Sequence, residues 1–129
     1  MEAPAITPSK ITVLIADDHR LFVDALEAIL TTDGRFEIVG KAHDGESAVR
    51  LAGTTKPDVV LMDIAMPGVD GVEATRRIRK RRKATAVLIL TGSNARNDVD
   101  RARRAGAAAY VTKDRIASQL VEAIADLAG

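Results

Sequence analysis

With 129 residues, 47% of them hydrophobic and 29% charged, the chain has the size and composition of one globular domain that can bury its own core. A formal net charge of +1 argues for neither a membrane nor a nucleic acid as an obligatory partner, and the absence of cysteine excludes disulfides and thiolate metal sites. No secretory h-region stands near the start and no apolar run reaches membrane-spanning length, so a soluble, cytoplasmic domain is expected.

Met1 to Lys10, with two prolines, read as a flexible leader ahead of one domain over 11–129. The β-branched run Ile11-Thr12-Val13-Leu14-Ile15-Ala16 predicts a strand, and it ends in Asp17-Asp18. From His19 the period changes. Phe22, Ala25, Leu26, Ile29 and Leu30 recur at three- and four-residue steps, which predicts an amphipathic helix stopped by Asp33-Gly34. Phe36 to Ala42 predicts a second strand, and Asp44 an N-cap for a helix through Ala48, Leu51 and Ala52.

Val59-Val60-Leu61-Met62 is a continuous apolar run that ends directly in Asp63, ahead of a Pro67-Gly68 break. Such a run predicts a strand buried on both faces, and packing alone gives no reason for it to end in a charge. Asp70 or Gly71 opens the next helix, whose inner face uses Val72, Thr75 and Ile78. Ala86 to Leu90 form the fourth strand, ending in Thr91-Gly92. Asn97 to Ala105 predict an arginine-rich helix closed by Gly106. Ala108 to Val111 are a short fifth strand followed by Thr112-Lys113-Asp114, and the last helix aligns Ile116, Leu120, Val121, Ile124 and Leu127. Five β-α units joined by right-handed crossovers make an α/β fold, a doubly wound five-stranded parallel sheet.

In such a sheet ligands bind at the carboxyl ends of the strands. Asp17 and Asp18, Asp63, Thr91 and Lys113 all fall at those ends, so three carboxylates, a hydroxyl and an ammonium converge on one rim. Each alone has a bland role as a cap, a turn residue or a solvated charge. Together they describe a site. Clustered carboxylates repel unless a cation neutralises them, and oxygen ligands suit a hard ion, Mg²⁺ where phosphate is the other ligand. An aspartate beside such an ion can attack a phosphoryl group and become an acyl phosphate.

At these residues the sequence resembles the receiver domains of two-component response regulators, over Ile11 to Leu127. The matching pieces are Ile15-Ala16-Asp17-Asp18-His19, Leu61-Met62-Asp63-Ile64-Ala65-Met66-Pro67, Leu90-Thr91 and Tyr110-Val111-Thr112-Lys113-Asp114. The Asp-Asp-His start and the Lys-Asp pair look most like the branch that carries a helix-turn-helix output domain. The resemblance implies a flavodoxin-like (βα)₅ fold with strand order 2-1-3-4-5. It implies Asp63 as phosphoacceptor and Asp17, Asp18, Asp63 and the Ala65 carbonyl as Mg²⁺ ligands. Thr91 and Lys113 would hold the phosphoryl group, and Thr91 with Tyr110 would form the switch. The partners it implies are a sensor histidine kinase and, on phosphorylation, a second copy of the chain. DNA would be reached only through an output domain outside this chain, to control transcription, and no membrane is involved. Such a domain is not an enzyme; it assists only its own phosphoryl transfer and dephosphorylation.

Two positions depart from the family's usual pattern. Ala65 stands where many relatives carry a longer side chain, and Gly92 stands where a small residue with a Cβ is more usual. The basic run Arg76 to Lys83 reads as a solvated helix end, because a nucleic-acid patch would want aromatics and these are 2% of the chain. Three other readings compete. A haloacid-dehalogenase-like phosphohydrolase would want a second acid two residues after its nucleophile, where Ala65 stands. A dinucleotide-binding domain would want G-x-G-x-x-G after the first strand, and none is present. A receiver-like scaffold that is never phosphorylated would not need the full acidic set.

Overall fold

The structure, a computed structural model, describes residues 10–92 and 96–128; of the expected leader only Lys10 falls within them. Strands β1 (Ile11–Ala16), β2 (Phe36–Ala42), β3 (Val59–Asp63), β4 (Ala86–Thr91) and β5 (Ala109–Thr112) alternate with helices α1 (Arg20–Asp33), α2 (Gly45–Thr55), α3 (Gly71–Arg81), α4 (Arg96–Ala105) and α5 (Ile116–Ala128). All strand pairs are parallel, in the order β2-β1-β3-β4-β5. The expected flavodoxin-like sheet is therefore the observed one. Among the described residues no helix is long and apolar enough to cross a membrane.

Every residue of β3 is buried, as its unbroken apolar run requires of a strand covered on both faces. Successive side chains of the strands go to opposite layers. Leu14, Val60, Met62, Val87 and Ile89 pack with Ala48, Ala52, Val72, Ile78 and Ala102 of α2, α3 and α4. Val13, Ile15, Leu61, Leu88 and Leu90 pack with Val23, Leu26, Leu120 and Ile124 of α1 and α5.

The helix boundaries follow from local chemistry. The Asp44 side chain accepts from the Ser47 N–H at 2.7 Å, and Asp70 accepts from the Glu73 N–H at 2.9 Å, so Asp70 is the cap and Gly71 the first helical residue. Gly34 (φ 85°) ends α1 in the left-handed region. Some expectations shift. The buried stripe of α1 is Val23, Leu26 and Leu30, while Ala25 and Ile29 are exposed, because the sheet meets the helix nearer residue 23 than residue 25. Helix α4 starts at Arg96 and β5 at Ala109, each one residue from the expected position, and a 3₁₀ turn over Lys113–Arg115 precedes α5.

One glycine is needed by close approach at the end of β3. A Cβ on Gly71 would lie 2.1 Å from the Asp63 carbonyl oxygen and 2.8 Å from the Ile64 Cα. Helix α3 thus starts hard against the strand end that carries Asp63. Gly71→Ala is expected to destabilise the fold by about 1–3 kcal/mol, since backbone must move to admit the methyl. Gly53→Ala, in α2 with no described atom within 4 Å of the new Cβ, should stabilise it by about 0.5–1 kcal/mol. Urea midpoints of the two variants should move in opposite directions.

Candidate functional site

The carboxyl ends of β1 and β3 adjoin because the strand order reverses between them. Asp17 continues the β1 ladder for one residue, its N–H donating to the Ala42 carbonyl at 3.0 Å. Its carboxylate is fully buried, and Asp63 is 4% exposed. Asp17 Oδ1 accepts from the His19 backbone N–H at 2.9 Å, a side-chain turn that fixes the loop into α1. The His43 ring Nδ1 lies 3.0 Å from the Asp17 carbonyl oxygen and pins the same loop from β2. From the other end of the chain, Lys113 Nζ reaches Asp17 Oδ2 at 3.0 Å and Asp63 Oδ1 at 3.6 Å. The ammonium also sits 4.5 Å from the centroid of the Phe22 ring, whose face favours a cation.

One ammonium does not balance three carboxylates. Asp63 shows the consequence, its carboxyl pushed up to about 6, first by burial and then by the negative charge of Asp17. Lys113 and the Ala65 N–H, 3.4 Å from Asp63 Oδ1, pull in the other direction. Ligand atoms of Asp17, Asp18, His19 and Asp63 all lie within 4.8 Å of one another. The residues present thus fit a hard divalent cation, through carboxylate donors and an unbalanced negative charge that a cation would relieve.

Of the expected site residues, the fold brings Asp17, Asp18, Asp63 and Lys113 into one cluster, with the Ala65 backbone beside it. Thr91 is buried at the end of β4, one residue beyond the level of Asp63, which pairs with Leu90. Tyr110 lies outside the cluster. It pairs with Ile89 on the edge strand and is 40% exposed, yet strand alternation puts it on the same face of the sheet as Thr91. A groove of about 500 Å³ adjoins the site, lined by Ile64, Ala65, Met66, Asp70, Asp98 and Arg101. The basic run splits in use: Arg76 and Arg77 pair with Glu73, and Arg79 donates to the carbonyls of Lys83 and Thr85. Lys80, Arg81 and Lys83 are exposed.

Three neighbours of the cluster were not among the expected site residues. His43 follows β2 at the same rim as the acids, so the strand-end rule that picked out Asp63 also reaches it. His19 stood in the quoted motif without a role. Phe22 reads in sequence only as a core residue of α1.

Residues 13–125 match the response regulator receiver domain family. The transcriptional regulatory protein DegU of Brevibacillus brevis is 40% identical over 119 residues, which are 92% of this chain and 50% of that protein. The chain thus spans about half the length of the curated relatives it matches. The receiver domain of the putative response regulator NarL from Mycobacterium tuberculosis superposes with a TM-score of 0.90 at 35% identity, covering 94% of this chain and 98% of that one. A LuxR-family two-component response regulator from Aurantimonas sp. SI85-9A1 gives 0.88 at 34% identity, over 93% and 86% of the two chains. With a family match across nearly the whole sheet and the acidic rim in place, the chain belongs to the response-regulator receiver family.

Proposed function

We propose that this domain is a phosphorylation-controlled switch in which Asp63 accepts a phosphoryl group from a histidine kinase. The observation that carries the reading is a buried carboxylate at the end of the central strand, with Asp17, Asp18 and Lys113 around it. A carboxylate oxygen of Asp63 attacks the phosphorus of the donor phosphohistidine, the P–O bond forms as the P–N bond breaks, and the electron pair leaves on the ring nitrogen. Asp17, Asp18, Asp63 and the Ala65 carbonyl would hold Mg²⁺, which supplies neutralisation of the phosphoryl oxygens. Lys113 stands near enough to Asp63 to pair with the phosphoryl group, and Thr91 would donate its hydroxyl to the same oxygens. DegU is a transcriptional regulator, and control of transcription through an output domain is the use we infer for this receiver. The domain turns over no outside substrate.

Intact mass spectrometry after incubation with Mg²⁺ and a small acyl-phosphate donor tests the reading. One phosphoryl group should be added, and excess chelator should prevent it. Asp18→Ala should weaken Mg²⁺ binding in a calorimetric titration by no less than the roughly tenfold typical of lost outer-shell partners. Undiminished labelling in excess chelator would remove the metal from the mechanism.

The signal would leave through Thr91 and Tyr110, which share a sheet face two residues apart along the β4–β5 ladder. As the Thr91 hydroxyl moves toward the phosphoryl oxygens, the Tyr110 ring turns into the space it leaves. The surface of α4, β5 and α5 offered to a second copy then changes. The coupling should be of the usual order, about 1–3 kcal/mol. Thr91→Ala should still accept phosphate but lose phosphate-dependent self-association in analytical ultracentrifugation. Tyr110→Ala should do the same, and the double variant should add little. Full phosphate-dependent association in Thr91→Ala would mean that the signal leaves by another route.

A further inference from the structure

His19 occupies the N-cap position of α1 but does not serve the helix. Its backbone is extended (φ −90°, ψ 99°) as a cap requires, yet its side chain makes no capping hydrogen bond. The ring turns instead to the acidic pair, with Nδ1 3.1 Å from Asp17 Oδ1 and 3.3 Å from Asp18 Oδ1. The same cluster includes a carboxylate oxygen of Asp63, all within 4.8 Å. Adjacent ligands of an octahedral ion with bonds of 2.0–2.1 Å stand about 3 Å apart. The 3.1 Å contact with Asp17 is a hydrogen bond, and an ion seated between the ring and the two carboxylates would take the place of its proton, with the ring N–H moving to Nε2. Because the His19 side chain is 69% exposed, it can adjust to an ion without disturbing the core.

Mg²⁺ is suited by carboxylate, carbonyl and water, whereas imidazole suits iron, nickel, copper and zinc. A pocket of carboxylates alone would rank divalent ions by the general order of affinity. One that adds an imidazole raises the first-row ions above that order. We infer that His19 is a ligand that tilts this pocket toward borderline divalent ions, so that Asp17, Asp18, Asp63 and His19 hold an ion such as Ni²⁺ in preference to Mg²⁺. The inference rests on the reading of the acidic cluster as a cation site and adds to it the residue that sets which cation.

The test uses the full chain without a histidine tag, titrated separately with Ni²⁺ and with Mg²⁺ by calorimetry at about pH 8, because metal binding displaces protons from its ligands. His19→Gln keeps a hydrogen-bonding side chain at the turn but removes the nitrogen ligand, and circular dichroism checks that the variant is folded. Ni²⁺ affinity should fall about tenfold or more in His19→Gln while Mg²⁺ affinity changes less than about twofold, since only the first ion gains from an imidazole. Excess Mg²⁺ should displace the bound Ni²⁺ from the wild-type protein. An equal loss for both ions, or no loss for either, overturns the role of His19. A gain for both overturns it too, because the ring would then be a plug rather than a ligand. Ni²⁺ that Mg²⁺ cannot displace sits elsewhere and has the same consequence. Failure of the wild-type protein to bind Mg²⁺ at all is a different result, which overturns the cation-site reading beneath the inference.

Discussion

Asp63→Asn is expected to abolish phosphoryl incorporation from a small acyl-phosphate donor, in a mass spectrum where the wild-type chain gains one group. The variant keeps the size and most of the hydrogen-bonding capacity of the side chain, so the fold has no reason to change. What it loses is the anionic oxygen that attacks phosphorus, and an amide oxygen is too poor a nucleophile to replace it. The neighbouring acids are not substitutes. Asp17 is fully buried, with one oxygen on Lys113 and the other on the His19 N–H, and the attack would require both contacts to be given up. Asp18 lies on the loop beyond β1, more exposed to water than either partner. Since the loss is of the acceptor itself, it should be complete and not graded. A label of equal size in Asp63→Asn would place the acceptor elsewhere and undo the proposed function.

The same substitution is expected to stabilise the metal-free fold at pH 8. Burial and the charge of Asp17 raise the Asp63 carboxyl from 3.8 to about 6. The fold therefore favours the protonated form. That contribution is fully present below about pH 4 and is lost as the pH rises through 6, when the carboxylate ionises beside Asp17. A rise of about two units corresponds to about 3 kcal/mol, forfeited by the ionised protein at pH 8. Asparagine resembles the neutral acid at every pH. Urea unfolding in chelator should thus show Asp63→Asn more stable than wild type by about 2–3 kcal/mol at pH 8, with the gap nearly closed at pH 4. A destabilised variant at pH 8, or a gap that does not change with pH, would mean that the acidic cluster carries no strain. Mg²⁺ should narrow the gap by stabilising wild type more than the variant, because binding to the native state alone adds to its stability. Strain kept in a site for the sake of its chemistry is the general cost of such clusters.

Much of this architecture was legible in the amino-acid sequence because its signals are local. The apolar runs at Ile11, Val59 and Ala86, the cap at Asp44 and the stop at Gly34 act within a few residues. Period and capping therefore fixed the five β-α units to within a residue at most boundaries. The acids at the strand ends were legible for the same reason, since the end of an apolar run is visible in one dimension. The strand order came from the family resemblance and not from any period.

The tertiary structure alone decided what depends on residues distant in sequence. It decided that Asp17 and not Asp18 is the fully buried acid, and that Lys113, 96 positions away, reaches it at 3.0 Å. It turned the His19 ring toward the carboxylates, set His43 on the Asp17 carbonyl and laid Phe22 beneath the ammonium. It chose Val23 over Ala25 for the buried stripe of α1 and required glycine where α3 meets the end of β3. The physical reason is common to all of these. A period says which side of an element is apolar, but which neighbour it meets, and how far its charges stand from others, is set only when the sheet closes and the helices dock.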